Sequence, residues 1–329
     1  MQHVEGAVPA STAALPAGRR FPLLRSRPHA ALQPRYLPYL LLAPSVIALG
    51  IALGYPLVNL VLISFQHFRA RELILGLPPQ WIGFDNYAYI VGRPDFWAVL
   101  SRTLAFAGVN VVVTIVVGMA LAVLLSLLGT RMRIALSLSM VLAWVIPTVT
   151  ATQVWMWLFD RDFGVVNWVL NILRPGQFVQ HSWTSDPLSL LGVATVVVVW
   201  GALPFVSLTL YAGLTQVPDE LYEAARVDGA GAWAMFRQVT LPLIMPIVML
   251  LVVLSSIWDF RVFTQIFVLQ KTGGISEDTN LIGIWAYNQS FGGTPNYGRG
   301  AATSFIGVLI LLLITAVLIR RMVRQGEDL

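Results

Sequence analysis

Few side chains in this sequence can do chemistry, and they gather in two short runs. The first, "EAARVDGAGAWAMFRQVTLP", spans Glu223 to Pro242 and holds Glu223, Arg226, Asp228 and Arg237 around Gly229 and Gly231. Charged groups in such a run suit charge-assisted hydrogen bonding to another surface. The second, "SSIWDFRVF", places Ser255, Asp259 and Arg261 inside a long apolar stretch. Ionisable groups at membrane depth are costly, so they face an interior path or one another. Asp259 and Arg261 are two apart, which puts them on different helix faces and prevents direct pairing. In a continuous helix Ser255, Asp259 and Val262 share one face, and Trp258, Arg261 and Gln265 share another. Aromatic rings beside a few hydrogen-bonding groups supply the stacking and directional contacts that a sugar needs. The alternative is that Asp259 and Arg261 only tie this span to a neighbouring subunit.

Other chemistries find no residues to carry them. There are no cysteines, so there is no disulfide, thiolate metal site or catalytic thiol. His3, His29, His67 and His181 are scattered without ligand spacing, so no metal site is expected. Asp160 and Asp162 look like paired carboxylates but read as a solvated turn. No GxxxxGK[ST] phosphate loop is present, so energy from ATP must come through a partner. A membrane-embedded enzyme would need a carboxylate cluster at the cytoplasmic mouth, but Asp219, Glu220, Glu223 and Asp228 all lie in one loop. An ion-coupled transporter would show inverted repeats with deep carboxylates in both halves; Asp259 alone lies deep. The net charge of +5 follows from membrane topology and does not point to nucleic acid.

The elements that must position these groups are membrane helices. The 329 residues are 57% hydrophobic and 11% charged, against about 25% charged in soluble domains. The expected fold is an all-α integral membrane protein of six transmembrane helices. The spans are expected at about Tyr39–Ser64, Val99–Leu128, Ile134–Phe159, Leu188–Gly213, Leu243–Leu269 and Ala301–Ile319. Residues 1–35, rich in Pro, Ala and Arg, read as a disordered basic tail. Arginines beside the spans, at Arg131 and Arg133 and at Arg320, Arg321 and Arg324, argue for both termini in the cytoplasm. Trp81, Tyr87, Tyr89, Trp97, Trp168 and Trp183 then suit an outer interfacial belt. Pro147 and Pro204 are expected to bend their helices, and Gly118 to allow close helix packing.

The first charged run falls in a cytoplasmic loop at about 214–242. Pro218, Asp219 and Glu220 suit a helix start, and Gly229 a left-handed helix end. A second short helix carries Trp233, Phe236 and Val239, and Pro242 starts the next span.

Here the sequence resembles a known family. Glu223-Ala224-Ala225, then Gly229, then Val239-x-Leu241-Pro242 is similar to the EAA loop of binding-protein-dependent ABC importer permeases, with Val239 where isoleucine is usual. "WIGFDNYAYI" with "FWAVLSRTL", "WLFDRDFGVVN" and "IWDFRVFTQIFVLQKTGG" resemble segments of the carbohydrate-uptake, maltose-type branch, which includes maltose, trehalose, lactose and glycerol-phosphate importers. The resemblance implies a transmembrane domain over 36–329 in the bacterial plasma membrane. It implies a cytoplasmic ATPase dimer that carries ATP and magnesium, a second homologous permease and an extracellular or periplasmic binding protein; no cofactor is implied within this chain. Glu223, Ala224, Ala225, Asp228, Gly229, Leu241 and Pro242 would form the ATPase-coupling surface. Counted from Glu223, the positions matching the branch's sugar contacts are Val198, Ala202, Phe205, Ser255, Trp258, Asp259 and Val262, beside which Arg261 is a further candidate. The implied substrate is a small sugar such as the disaccharide trehalose, with glycerol-phosphate or another polar solute as the alternative. Ala202 and Val262 are small and apolar, which sets this site apart from one for maltose itself.

Overall fold

The computed structural model describes residues 37–271 and 277–327; the expected tail over 1–35 lies outside the described residues. They fall into two compact units, one ending at Gly54 and one beginning at Tyr55. The first contains α1 (Leu37–Leu49) and a π-helical turn at Gly50–Gly54, with Leu40, Leu41, Ile47 and Leu53 exposed. The second runs α2 (Tyr55–Ser64), β1 (Gln66–His67), α3 (Ala70–Leu75), β2 (Gln80–Trp81), α4 (Asp85–Val91), α5 (Pro94–Leu127), α6 (Thr130–Val145), α7 (Thr148–Leu158), α8 (Val165–Leu173) and α9 (Pro187–Leu214). It continues with α10 (Asp219–Val227), α11 (Ala232–Met235), α12 (Leu241–Phe260), α13 (Thr264–Lys271), α14 (Ile282–Phe291) and α15 (Tyr297–Glu327). The two short strands pair antiparallel.

Among the described residues five helical stretches are long and apolar enough to cross a membrane: Tyr39–Ser64, Pro94–Leu127, Pro187–Leu214, Ala232–Lys271 and Tyr297–Arg324. Their outward leucines, isoleucines and valines have no burial to explain them in water. In lipid they do, since a helix satisfies its own backbone there. A sixth span exists only if α6 and α7 count together, and these are bent by 105°. The bend expected at Pro147 is present, and it divides the expected span over Ile134–Phe159 into two helices. Pro147 is the cause: it denies the ladder an N–H and pushes Ile146 into extended backbone, φ −65° and ψ 126°. Pro204, by contrast, stays inside α9, which runs on as one helix of 28 residues.

α9 lies at the centre of the packing. Val206 and Leu210 of α9 meet Ala122 of α5 and Ile244, Val248 and Leu251 of α12 in one buried cluster. Small residues permit this approach. A Cβ on Gly118 would stand 2.7 Å from Cγ1 of Val206, and one on Gly213 would stand 2.6 Å from Cδ1 of Ile247. A second cluster joins Phe106 of α5, Val193 and Val198 of α9, Val262, and Ile266 of α13. α9 and α12 are thereby held side by side, and the cavity described below opens beside them.

Candidate functional site

The charged loop folds as a hairpin whose turn is built by one glycine. Asp219 and Glu220 occupy the first turn of α10 and Arg226 its last, each matched to the helix dipole. At the C-terminus Gly229 takes φ +80°. Its N–H donates to the Arg226 carbonyl at 3.0 Å, and the Ala230 N–H donates to the Ala225 carbonyl at 2.9 Å. This pair of bonds is the Schellman arrangement, and its left-handed residue carries no strain only as glycine.

The return arm differs from the expected separate short helix. α11 passes through a π-helical turn, Phe236–Thr240, directly into α12. Leu241 donates its N–H to Phe236, five residues back. Pro242 supplies the reason: it has no N–H, its ring crowds the carbonyl four residues earlier, and a wider turn relieves both. The span therefore does not begin at Pro242; helix is unbroken from Ala232 to Phe260. The two arms are tied by the hydroxyls of Tyr222 and Thr240 at 3.0 Å, and Thr240 is buried.

The hairpin presents an unpartnered face. Glu223, Ala224, Asp228 and Pro242 are exposed, and Ala225 and Leu241 half-buried. Val227 is 87% and Trp233 71% exposed. Among the described residues the one ion pair is Arg93 with Asp95, so Glu223 has no cationic partner within them. An exposed apolar knob beside an unpaired carboxylate is a surface suited to a partner protein.

A cavity of about 300 Å³ lies where α6, α7, α9 and α12 converge. Of the eight expected substrate contacts, Val198, Ala202, Phe205, Trp258, Asp259 and Val262 line it. Ser255 does not: it is buried in the helix packing, with its hydroxyl unpartnered. Arg261 does not either. α12 ends at Phe260, and Arg261 is exposed in a three-residue interruption before α13. It lines a separate cavity of about 630 Å³ with Tyr287 and Ser304. Ser255 and Asp259 lie four apart within α12, but of the two only Asp259 reaches the cavity. Val262 reaches the cavity from the interruption instead.

The lining residues that sequence reasoning did not place at the site include Trp144, Thr148, Trp200 and Gln265. Trp144 and Thr148 flank Pro147, so the 105° bend is what turns them inward. A tryptophan beside a helix-breaking proline is the signal that could have found Trp144. The rings form a chain, with Trp144 to Phe205 at 6.1 Å and Phe205 to Trp258 at 5.3 Å edge-on. Asp259 is 3% exposed, and its Oδ2 has no hydrogen-bond partner among the described residues.

Asp160 and Asp162 form no paired-carboxylate site. Asp160 Oδ1 accepts the N–H groups of Asp162 and Phe163, each at 2.9 Å, closing a turn. Those backbone donors, Phe163 first, hold the Asp160 carboxyl below its ordinary pKa. No group of three or more acidic or histidine side chains able to hold a metal occurs among the described residues.

Known proteins resemble this chain over most of its length. A family model described as the binding-protein-dependent transport system inner membrane component matches residues 114–325. The diacetylchitobiose uptake system permease protein DasB of Streptomyces coelicolor is 44% identical over 88% of this chain and 88% of its own length. The trehalose/maltose transport system permease protein MalF of Thermococcus litoralis is 29% identical over 86% and 92%. The trehalose transport system permease protein SugA of Mycobacterium tuberculosis is 31% identical over 85% and 87%. Among solved structures, a chain of a bacterial ABC transporter that imports the acidic polysaccharide alginate superposes with TM-score 0.74 and 22% identity. The match covers 88% of this chain and 96% of that one.

Proposed function

The chain belongs to the binding-protein-dependent transport system inner membrane components, and from that premise we propose that it is the sugar-translocating permease of an ABC importer whose hairpin over 219–240 receives the stroke of a cytoplasmic ATPase. It is a multi-pass membrane protein and a transport component. One observation carries the coupling reading. The return arm of the hairpin and the helix bearing Trp258 and Asp259 are one continuous helical rod, Ala232 to Phe260. Force applied to the exposed face at Glu223 and Val227 would pass to that rod through the Tyr222–Thr240 contact and along it to the cavity. The tie between Tyr222 and Thr240 makes the outward arm move with that rod.

In this reading both termini and the hairpin are cytoplasmic, as the arginine distribution argues. Glu223 pairs with a basic group of the ATPase, and Asp228 and Gly229 shape the turn that presents it. Ala224 and Ala225 allow close approach, while Leu241 and Pro242 set the entry into the span. ATP and magnesium are bound by the ATPase. A second permease completes the path, since the cavity at Asp259 is only about 300 Å³ within this chain. A binding protein delivers the substrate. The cavity supports a small saccharide, with aromatic faces of Trp144, Phe205 and Trp258 for stacking and Asp259 and Gln265 for hydrogen bonds. Relatives named for diacetylchitobiose, trehalose and maltose support a disaccharide more than trehalose in particular.

Reconstitution with the second permease, the ATPase and the loaded binding protein tests this. Gly229→Pro removes the bond-donating N–H and the left-handed turn, and is expected to abolish uptake while leaving membrane insertion intact. Normal uptake by that variant would contradict the coupling role.

A further inference from the structure

Arg261 stands outside the cavity at Asp259, and its own surroundings describe a different ligand. It is exposed where α12 ends, and it lines the cavity of about 630 Å³ formed there with α14 and α15. Among the described residues its guanidinium has no ion pair, and no aspartate or glutamate lines this cavity. A cation without a counter-charge on an apolar helix is costly at membrane depth, so an anion from elsewhere is called for.

The lining is ordered along the helices. Tyr287, Ser290 and Ser304 bring hydroxyls, and Ile282, Val308 and Leu311 bring apolar side chains. Gly300 lies against Ser290 and Gly307 against Ile282, so α14 and α15 run antiparallel with Ser290 and Ser304 toward one end and Ile282 and Val308 toward the other. Phe260, the neighbour of Arg261, packs with Ala302 near the hydroxyl end. The cavity is a polar lip that opens into an apolar trough.

Depth gives the lip its meaning. α12 is 20 residues long, about 30 Å, which is the thickness of the hydrocarbon core, and Arg261 follows its last residue. On α15, Ser304 lies about 24 Å before Arg320, the first of the arginines at the other end. Both lengths put the lip near the hydrocarbon boundary remote from the hairpin, with the trough running toward the membrane centre. An arginine side chain reaches a headgroup from such a place.

We propose that this cavity binds an anionic glycerophospholipid of the leaflet remote from the hairpin, with its phosphodiester on Arg261 and an acyl chain in the trough beside Val308 and Leu311. A guanidinium matches two phosphate oxygens at once. A free anion, or a carboxylate from a neighbouring helix, would satisfy Arg261 and leave the trough empty; a phospholipid fills both parts. An ammonium headgroup finds no carboxylate in the lining, whereas a glycerol headgroup meets the hydroxyls of Ser290, Ser304 and Tyr287. The bound lipid braces the interruption between α12 and α13, at the end of the rod that begins in the hairpin. The site depends on membrane insertion alone, not on which solute is carried.

The test uses the transporter purified with its second permease and ATPase, freed of lipid by detergent exchange, and titrated under native mass spectrometry. The probes are phosphatidylglycerol and phosphatidylethanolamine with the same acyl chains. Phosphatidylglycerol is expected to bind at least about tenfold more tightly, and Arg261→Gln to remove that advantage, the size of a lost charge-assisted hydrogen bond. Arg261→Lys, which keeps the charge but not the fork, should retain part of it and guards against a folding defect. A Cβ at Gly307 meets nothing closer than Ile282 Cδ1 at 3.5 Å, so Gly307→Leu fills the trough and should weaken phosphatidylglycerol binding with Arg261 intact. Glycerol 3-phosphate, which has the phosphate without the chains, should not compete. Equal binding of the two lipids, or unchanged phosphatidylglycerol binding by Arg261→Gln, overturns the proposal. Displacement by glycerol 3-phosphate overturns it in favour of a soluble-anion site. Loss of the second permease from the Arg261→Gln complex, with Gly307→Leu still assembled, overturns it in favour of an ion pair between subunits.

Discussion

Gly229 is the residue on which the hairpin turns. An L-residue at φ +80° is strained, by about 1–2 kcal/mol for alanine. Gly229→Ala is therefore expected to loosen the end of α10 and lower coupled transport in part, where Gly229→Pro abolishes it. Comparing uptake per ATP hydrolysed for the two variants checks the order. This residue was legible in the sequence, because a glycine after a run of helix formers has a single common use. Arg261 was not. Its placement on a helix face assumed that α12 continues, and no glycine or proline marks the interruption that follows Phe260. Asp160 offers a pH test. Its carboxyl is held low by backbone N–H groups, so its contribution to the turn is complete at neutral pH and is lost as acid protonates it, below about pH 4. Asp160→Asn should remove that acid-side loss, read from protease sensitivity of the 159–165 turn across pH. An unchanged acid profile would remove Asp160 from this role.

At the scale of elements, hydropathy revealed the membrane helices because lipid leaves no other way to satisfy a spanning backbone. The loop's cap chemistry was equally plain. What stayed hidden were the geometries that proline forces on its neighbours: the 105° bend at Pro147 and the π-turn before Pro242. A proline in an apolar run signals disturbance but does not give its size, as the unbroken course of α9 through Pro204 shows. The bend aims Trp144 and Thr148 into the cavity, so Pro147→Ala should straighten α6 and α7 toward one rod and withdraw them. The expected readout is loss of saccharide-dependent quenching of tryptophan fluorescence, with the fold retained by circular dichroism. Gly118 meets Val206 so closely that even a methyl group would collide. Gly118→Val should separate α5 from α9 and cost about 1–3 kcal/mol, seen as a lower thermal midpoint of the detergent-solubilised chain. A midpoint unchanged within error would show that the helices can shift to accept it.

For the whole molecule the account joins two places at opposite ends of one helix. In that proposal an exposed hairpin receives a partner, and an aromatic cavity with a buried carboxylate holds a ligand. The residues of the hairpin were readable as a set because they are contiguous in sequence. Those of the cavity come from α6, α7, α9, α12 and α13 and were only partly readable, since nothing in one span announces which side chains of another will face it. The central claim is that the hairpin bears on the ATPase. The chain has no cysteine of its own, so Val227→Cys introduces its sole thiol, on the most exposed apolar side chain of the hairpin. The direct measurement is thiol cross-linking from that position in membranes of cells expressing the full transporter. The account predicts a cross-linked product with the ATPase subunit whose yield changes on ATP addition. It also predicts that a membrane-impermeant maleimide does not label the site in intact cells. Labelling from outside, or no product with the ATPase under any nucleotide condition, would contradict it.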